Sequence, residues 1–478
     1  MHISHMLIDG TSVSSRKVDT IFNPASGEPV AGVAVGGREE ARLALEAAKR
    51  AFPVWSSMPA EERSEVLREA ARLVRQRRDE IARLLTLEQG KPLKSSRSEV
   101  LSAADVLDYY AEEGKRNTGQ WLAGPHSRSI VLWQPIGVAA LITPWNYPVD
   151  LLSWKVAPCL AAGCTFVSKP PSLAPLAATE FVRAVSDAGL PAGAANVVHG
   201  PGGTVGAELV ESPISRKIAF TGETATGRAV MAAAAARIKR ISLELGGQSP
   251  FIVCADADLP AAAASAAHRA FSNMGQICVS VNRIYVADEV AEAFTDQLVS
   301  LAESLKIGDG MQPGVELGPM FSSQQREKTK EHVADALERG AELLAGGSEP
   351  EGEEFSRGFF FRPTVLGRAD HSMRVMREET FGPVAPIMKF RSVQEAVALA
   401  NDTEYGLAAY VYTGSLKTAM QVAEGLEAGG IGVNVNSVID RQAPFGGWKQ
   451  SGLGRELGRW GLEAYLETKH IRVGVWKE

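Results

Sequence analysis

From Pro135 onward, short apolar runs alternate with alanine-rich segments, and few architectures accept such a chain. The strand candidates are residues 137–143, 164–168, 196–199, 217–221 and 241–245. Between them lie helix candidates at 176–188, which Pro175 is placed to open, 204–211 and 225–236. Strands joined through helical crossovers pair in parallel, and a parallel sheet is covered by helices on both faces. The pattern therefore predicts an α/β fold. A second α/β series follows Pro250, with a helix at 260–272, a strand at 282–287 and helices at 289–305 and 322–339.

Ahead of the first series, residues 37–52, 60–86 and 98–114 carry helical periodicity. In the middle one, Val66, Leu67, Ala70, Leu73 and Val74 fall on one side, and Gly90 and Pro92 mark its end. Turn residues then lead into a strand-like Ser129-Ile130-Val131-Leu132-Trp133. The segment 463–478 has little helical character after Leu466 and reads as an exposed strand. Exposed edges need a partner, so an oligomer is expected. The opening Met1-His2-Ile3-Ser4-His5 is given no structural role.

Composition narrows the function classes. A chain of 478 residues, 45% of them hydrophobic, can form two or three units with a large core. A net charge of -6 argues against nucleic acid, which demands a concentrated basic surface. No apolar run approaches the roughly 18 residues of a membrane span, and the N-terminus lacks the apolar core of an export signal. Cys159, Cys164, Cys254 and Cys278 fit neither a disulfide framework nor a zinc site. They read as reduced thiols in a cytoplasmic protein, and no metal is expected.

Five segments could carry chemistry. In Gly275-Gln276-Ile277-Cys278-Val279, a cysteine on a loop after a helix could be an exposed nucleophile, although packing is the commoner role for one cysteine. In Leu243-Glu244-Leu245-Gly246-Gly247, a carboxylate at a strand end would be partly desolvated, which raises its pKa toward that of a useful base. A satisfied structural glutamate is the alternative. Asn146, in Thr143-Pro144-Trp145-Asn146-Tyr147-Pro148, follows a predicted strand where ligand crevices of open sheets lie. Its amide could donate to an oxyanion, or it could be an ordinary turn residue. Lys169, at the next strand end, could hold a ribose or phosphate or be a solvated lysine. The loop from Gly200 through Gly202 and Gly203 to Gly206 could admit a phosphate, but its spacing departs from the dinucleotide fingerprint.

Taken together these residues resemble the aldehyde dehydrogenase superfamily over nearly the whole chain. The shared motifs run from Asn23-Pro24-Ala25 through Leu87-Glu88-Gln89-Gly90-Lys91-Pro92, Pro144-Trp145-Asn146, Lys169-Pro170, Phe220-Thr221-Gly222 and Glu244-Leu245-Gly246-Gly247. They continue through Gly275-Gln276-Ile277-Cys278, Glu379-Thr380-Phe381-Gly382-Pro383 and Pro444-Phe445-Gly446-Gly447. Glu244 and Cys278 are 34 residues apart, the family's usual interval. The resemblance implies that the Cys278 thiolate attacks an aldehyde, with the Asn146 amide and the Cys278 N–H stabilising the oxyanion. Hydride passes to a nicotinamide, and Glu244 activates the water that hydrolyses the thioester. It further implies cofactor-binding roles for Trp145, Lys169, Ser172, Gly202, Phe220, Thr221, Gly222, Glu223, Glu379 and Phe381. The cofactor is NADP or NAD. Ser172 stands where NAD-preferring members often carry glutamate, so NADP is expected to be tolerated or preferred. Glu223 replaces a serine often found beside the pyrophosphate; it would weaken binding if it faces the cofactor, or serve as a helix N-terminal residue.

For the substrate, residues 87–92 and 450–456 are similar to succinate-semialdehyde dehydrogenases. Two arginines that bind the substrate carboxylate there align with Trp154 and Ser272, so a short acidic semialdehyde is disfavoured unless Arg441 substitutes. Tyr147, Trp154, Ile277, Val279 and Phe445 suggest a partly aromatic tunnel, as in betaine-aldehyde dehydrogenases. Asp150 is a candidate cation partner for an aminoaldehyde, although a surface or helix-cap role is the preferred reading. A CoA-acylating enzyme is the alternative, disfavoured by Glu244, and a non-catalytic protein with this fold is the other. By resemblance, residues 1–116 and 136–246 form a Rossmann-like cofactor domain and 247–446 an α/β catalytic domain. Residues 117–135 and 463–478 form a small β oligomerisation element of a homodimer or homotetramer.

Overall fold

The computed structural model describes residues 2–474. Four helices lead the chain: α1 (Arg38–Ser57), α2 (Ala60–Gln76), α3 (Arg78–Gln89) and α4 (Leu93–Glu113). The periodic stretch expected at 60–86 is thus two helices, broken at Arg77, whose φ of -91° and ψ of 9° leave the helical region. Gly90 closes α3 in the left-handed conformation at φ 99°.

The first series builds an eight-stranded sheet. Its five central strands run in the order Arg240–Glu244, Ser215–Thr221, Val138–Ile142, Thr165–Lys169 and Ala195–Val197, all parallel. Short antiparallel strands flank them, Gly452–Leu453 on one edge and Met6–Ile8 with Thr11–Val13 on the other. The strand 138–142 comes first in sequence among the five, and its two neighbours lie in opposite directions along the sheet. A crevice opens at such a switch point, at the carboxyl ends of the strands.

The crossovers are α5 (Asp150–Ala162), α6 (Leu176–Ser186), α7 (Ala207–Glu211) and α8 (Thr224–Ala235). A π turn at Gly202–Gly206 occupies the start of the helix expected from residue 204. The second series forms a seven-stranded sheet around Ser249–Val253 and Val281–Ala287, with α9 (Leu259–Phe271), α10 (Ala291–Ser304) and α11 (Ser323–Glu338) among its helices. It is parallel except for its edge strand Glu342–Ala345.

Leu466–Gly474 pairs antiparallel with Ser127–Pro135, which pairs with Gln120–Ala123 in a separate three-stranded sheet. Residues 475–478 of the expected interface strand lie outside the described residues. A further expectation is corrected. Ile3–Ser4 is not inert: it pairs with Gly32–Val33, and Ser4 is buried there. Among the described residues, no helix is long and apolar enough to cross a membrane.

Candidate active site

Cys278 lies on the loop between α9 and the strand 281–287. Three left-handed residues shape the approach, Asn273 (φ 50°), Met274 (φ 57°) and Gly275 (φ 68°). A non-glycine residue held there costs about 1–3 kcal/mol, and such strain persists only where the surroundings over-determine it. Cys278 is part-exposed, whereas Cys159, Cys164 and Cys254 are buried. Burial pushes its thiol above the ordinary range, and the nearby charges of Glu244 and Glu379 push it the same way, while its own amide and that of Val279 oppose them.

Glu244 ends the strand 240–244 and is buried. Burial pushes its carboxyl well up, Glu456 adds to the rise, and Lys155 and Arg455 pull it back. Lys155, on α5, donates to Glu456 Oε1 at 2.6 Å and to Thr221 Oγ1 at 2.7 Å. The glycines beside the base are there for close approach. A Cβ on Gly247 would sit 2.2 Å from the Cys278 carbonyl oxygen, and one on Gly446 would sit 3.1 Å from Glu244 Oε1. A side chain at Gly247 would have to move the nucleophile loop, and one at Gly446 would meet the Gly454 carbonyl oxygen at 2.7 Å.

Asn146 follows the strand 138–142 and is buried. Its Nδ2 donates to the Gln276 carbonyl at 3.0 Å. A side-chain amide nitrogen carries two hydrogens, so one remains for an oxyanion.

A cleft of about 700 Å³ opens at the switch point. Trp145, Asn146, Thr221, Gly222, Glu223, Cys278, Glu379 and Phe381 all line it, although they come from four separate stretches of sequence. Trp145 stacks on Phe321 at 4.2 Å and meets Phe381 edge-on at 5.5 Å. Glu379 accepts from the Gly247 amide at 2.8 Å, and burial pushes its carboxyl up to about 7. Phe220 lies buried beneath, on the strand 215–221. Glu223 stands exposed as the N-cap of α8, without a side-chain capping bond.

The remaining cofactor candidates gather at the end of the strand 165–169. Lys169 is buried, donates to the Pro170 carbonyl at 3.0 Å, and pairs with no carboxylate among the described residues. Desolvation lowers its ammonium to about 8. Ser172 donates to the Gly200 carbonyl at 3.0 Å, and Gly202 opens the adjoining turn. These groups fit a dinucleotide. The buried ammonium lacks an anion or hydroxyl partner, and Thr224 and Ala225 at the start of α8 face the cleft. The leading amides of a helix have no partner inside it and favour phosphate. Ser172→Glu would place a carboxylate in the Lys169–Gly200 group. The ratio of kcat/KM with NADP to that with NAD should then fall by roughly tenfold, since a repulsion of about 1.4 kcal/mol is tenfold in binding. Steady-state rates with both dinucleotides check this, and an unchanged ratio removes Ser172 as the discriminator.

The tunnel candidates Tyr147, Trp154, Ile277, Val279 and Phe445 do not line this cleft. Trp154 and Phe445 are buried and meet edge-on at 5.1 Å, and the Tyr147 ring lies under Lys91 at 3.6 Å. Ile277 and Val279 are buried beside the nucleophile. Arg441 is bound to Asp105 at 2.7 Å, Ser272 Oγ lies 3.2 Å from His268 Nδ1, and Arg269 is turned to the Asn436 carbonyl. Asp150, read from sequence as a surface or helix-cap residue, stands at the helix start and is part-buried. It opens α5 with Oδ1 enclosed and unpartnered, and burial beside Glu99 pushes its carboxyl up to about 7.

Two contributors escaped the sequence reading. Lys155 lies on a helix that is buried all round after Asp150, and Glu456 reaches it from 301 residues away. The run Gly454-Arg455-Glu456 was the only signal for the second.

Comparison with known proteins agrees with this geometry. The model of the aldehyde dehydrogenase family matches residues 11–471. The chain is 45% identical to the NADP(+) succinate-semialdehyde dehydrogenase GabD of Escherichia coli (strain K12), over 98% of this chain and 97% of that one. It is 41% identical to betaine aldehyde dehydrogenase of Bacillus subtilis (strain 168), over 98% and 96%. Among solved structures, an E. coli NADP dependent enzyme superposes with a TM-score of 0.97 at 44% identity, covering 99% of this chain and 98% of that one. Staphylococcus aureus betaine aldehyde dehydrogenase in complex with NAD+ superposes at 0.96 with 37% identity, covering 98% and 94%. The chain belongs to the aldehyde dehydrogenase family. It is an NAD(P)-dependent aldehyde dehydrogenase with that family's fold.

Proposed function

We propose that this enzyme oxidises aldehydes to carboxylates through a thioester on Cys278, released by water that Glu244 activates. The observation that carries the reading is the meeting of three groups. Cys278 and Asn146 line one cleft, and Glu244 lies near enough for its charge to raise the Cys278 thiol. The thiolate adds to the carbonyl carbon, and the Asn146 amide with the Cys278 amide holds the oxyanion. A bound dinucleotide, held by Lys169, Glu379 and the start of α8, supplies the hydride acceptor. Loss of hydride from the tetrahedral carbon leaves the thioester on Cys278. Glu244 then takes a proton from water, and the attack releases carboxylate and restores the thiol.

For the substrate, the aromatic wall of Trp154, Phe445 and Tyr147 supports an aldehyde whose far end is not a carboxylate. Arg441 is already engaged by Asp105. A homodimer or homotetramer is the expected assembly, supported by exposed Trp121, Leu122, Ile471 and Val473 on the small sheet. Four free cysteines support a cytoplasmic setting.

The test is dinucleotide reduction followed by its near-ultraviolet absorbance. Aliphatic, aromatic, amino- and carboxy-aldehydes are each offered with NAD and with NADP, without CoA. Turnover without CoA is expected, with carboxy-aldehydes the poorest class. Strict dependence on added CoA would replace hydrolysis by acyl transfer. Preference for carboxy-aldehydes would reject the substrate reading.

A further inference from the structure

Lys91 and Glu99 form a buried ion pair that takes no part in the route above. The Lys91 side chain is 1% exposed and that of Glu99 0%, and their charged atoms lie 2.6 Å apart. Such a pair contributes little stability by itself, because desolvating two charges offsets their attraction. Its other bonds are more informative. An ammonium has three donors. One goes to Glu99, one reaches the Asn146 backbone oxygen at 2.6 Å, and the group lies 3.6 Å from the centre of the Tyr147 ring. The second Glu99 oxygen accepts from the amides of Val149 at 3.0 Å and Asp150 at 3.3 Å. One ion pair thus holds both ends of the turn that carries Asn146.

The same frame reaches the nucleophile loop. Asn273 Nδ2 donates to the Asn146 carbonyl at 3.2 Å, and Gln89 Nε2 donates to Asn273 Oδ1 at 3.1 Å. Gln89 Oε1 in turn accepts the Lys91 amide at 3.0 Å. Asn273 is the first of the strained left-handed residues before Cys278. Burial lowers the Lys91 pKa, and Glu99 works against that fall, which helps the lysine stay charged.

We propose that Lys91, held by Glu99, is a positioning residue that fixes the Asn146 amide beside Cys278, so that its loss impairs oxyanion stabilisation and not substrate binding. The inference rests on Asn146 being the oxyanion donor. A donor works only where it points at the developing charge, and a small misplacement weakens it.

Lys91→Met alone strands a buried carboxylate, so the working variant is Lys91→Met with Glu99→Gln. Its amide oxygen can still accept from Val149 and Asp150. Steady-state kinetics are measured in this variant, in Asn146→Ala, and in the two combined. The working variant should lower kcat by roughly tenfold or more, with KM within about twofold of the parent. The combined variant should be no slower than Asn146→Ala, because a residue acting through the amide has nothing left to act on. Lys91→Arg keeps the charge and donors, and should fall between parent and working variant. It carries the same comparison with Asn146→Ala if the working variant does not fold. An unchanged kcat, or losses that multiply in the combined variant, overturns the proposal. An Asn146→Ala enzyme with parental kcat removes the oxyanion reading itself.

Discussion

Replacing Cys278 by alanine should abolish aldehyde-dependent dinucleotide reduction, lowering kcat by on the order of 10⁴-fold or more, because no other group can carry the thioester. The fold should survive. Cys278 is part-exposed on a loop, and the substitution removes one sulfur without stranding a charge. Circular dichroism and dinucleotide binding should therefore match the parent. The other thiols cannot substitute. Cys159, on α5, donates to the Thr165 carbonyl and Cys164, just after it, to the Tyr465 carbonyl, and Cys254 is buried. In the parent, an alkylating agent should modify one thiol faster than the buried three and activity should fall in step, since access selects the site. Raising the pH should speed both reactions. Burial, Glu244 and Glu379 hold the Cys278 pKa above its ordinary value, so the thiolate fraction is small below that pKa and grows as the pH approaches it. Substantial turnover in Cys278→Ala would end the covalent reading.

The parts legible from sequence were those with a period of their own. The strands 215–221 and 240–244 alternate with α8 over short distances, and Asn146, read as following a strand end, lines the cleft after the strand 138–142. By contrast, α5 was invisible. Every residue after Asp150 in it is buried and Pro158 lies within it, so it presents no polar face to mark a helix. Lys155 was lost with it. The break at Arg77 carries neither glycine nor proline, and the smooth pattern of 60–86 concealed it. The second sheet was read only as far as α11, because strands such as Thr364–Gly367 and Gly430–Val433 are too short for a clear alternation. Within the site, the candidate side chains were readable as residues but their environment was not. The charge on Glu244 depends on Glu456 and Lys155, and the set of Asn146 depends on Lys91. Those are contacts made by the fold, across hundreds of residues or between helix ends.

The same environment bears on how Glu244 works. Glu244→Gln keeps the shape of the side chain and removes its basicity. Acylation needs the thiolate and the Asn146 amide, and both remain. Deacylation needs a base for water, and the variant lacks the one proposed. Lys155 is a charged donor already bonded to Thr221 and Glu456, and the Glu456 carboxylate is tied to Lys155 through Oε1. Rapid mixing should therefore show a burst of reduced dinucleotide of about one equivalent per active site, followed by turnover slower by on the order of 10²–10³-fold. The burst should trap as an acyl adduct on Cys278 by mass spectrometry. The pH profile separates this from general damage. Burial raises the Glu244 pKa, so in the parent the basic form, and with it deacylation, increases as pH rises through that pKa. Glutamine does not titrate, so the slow phase of the variant should lose that rise. Absence of a burst, with a slow first turnover, would place Glu244 before the thioester, as the base that draws the proton from Cys278. The raised thiol of Cys278 makes that step demanding enough for the distinction to be measurable.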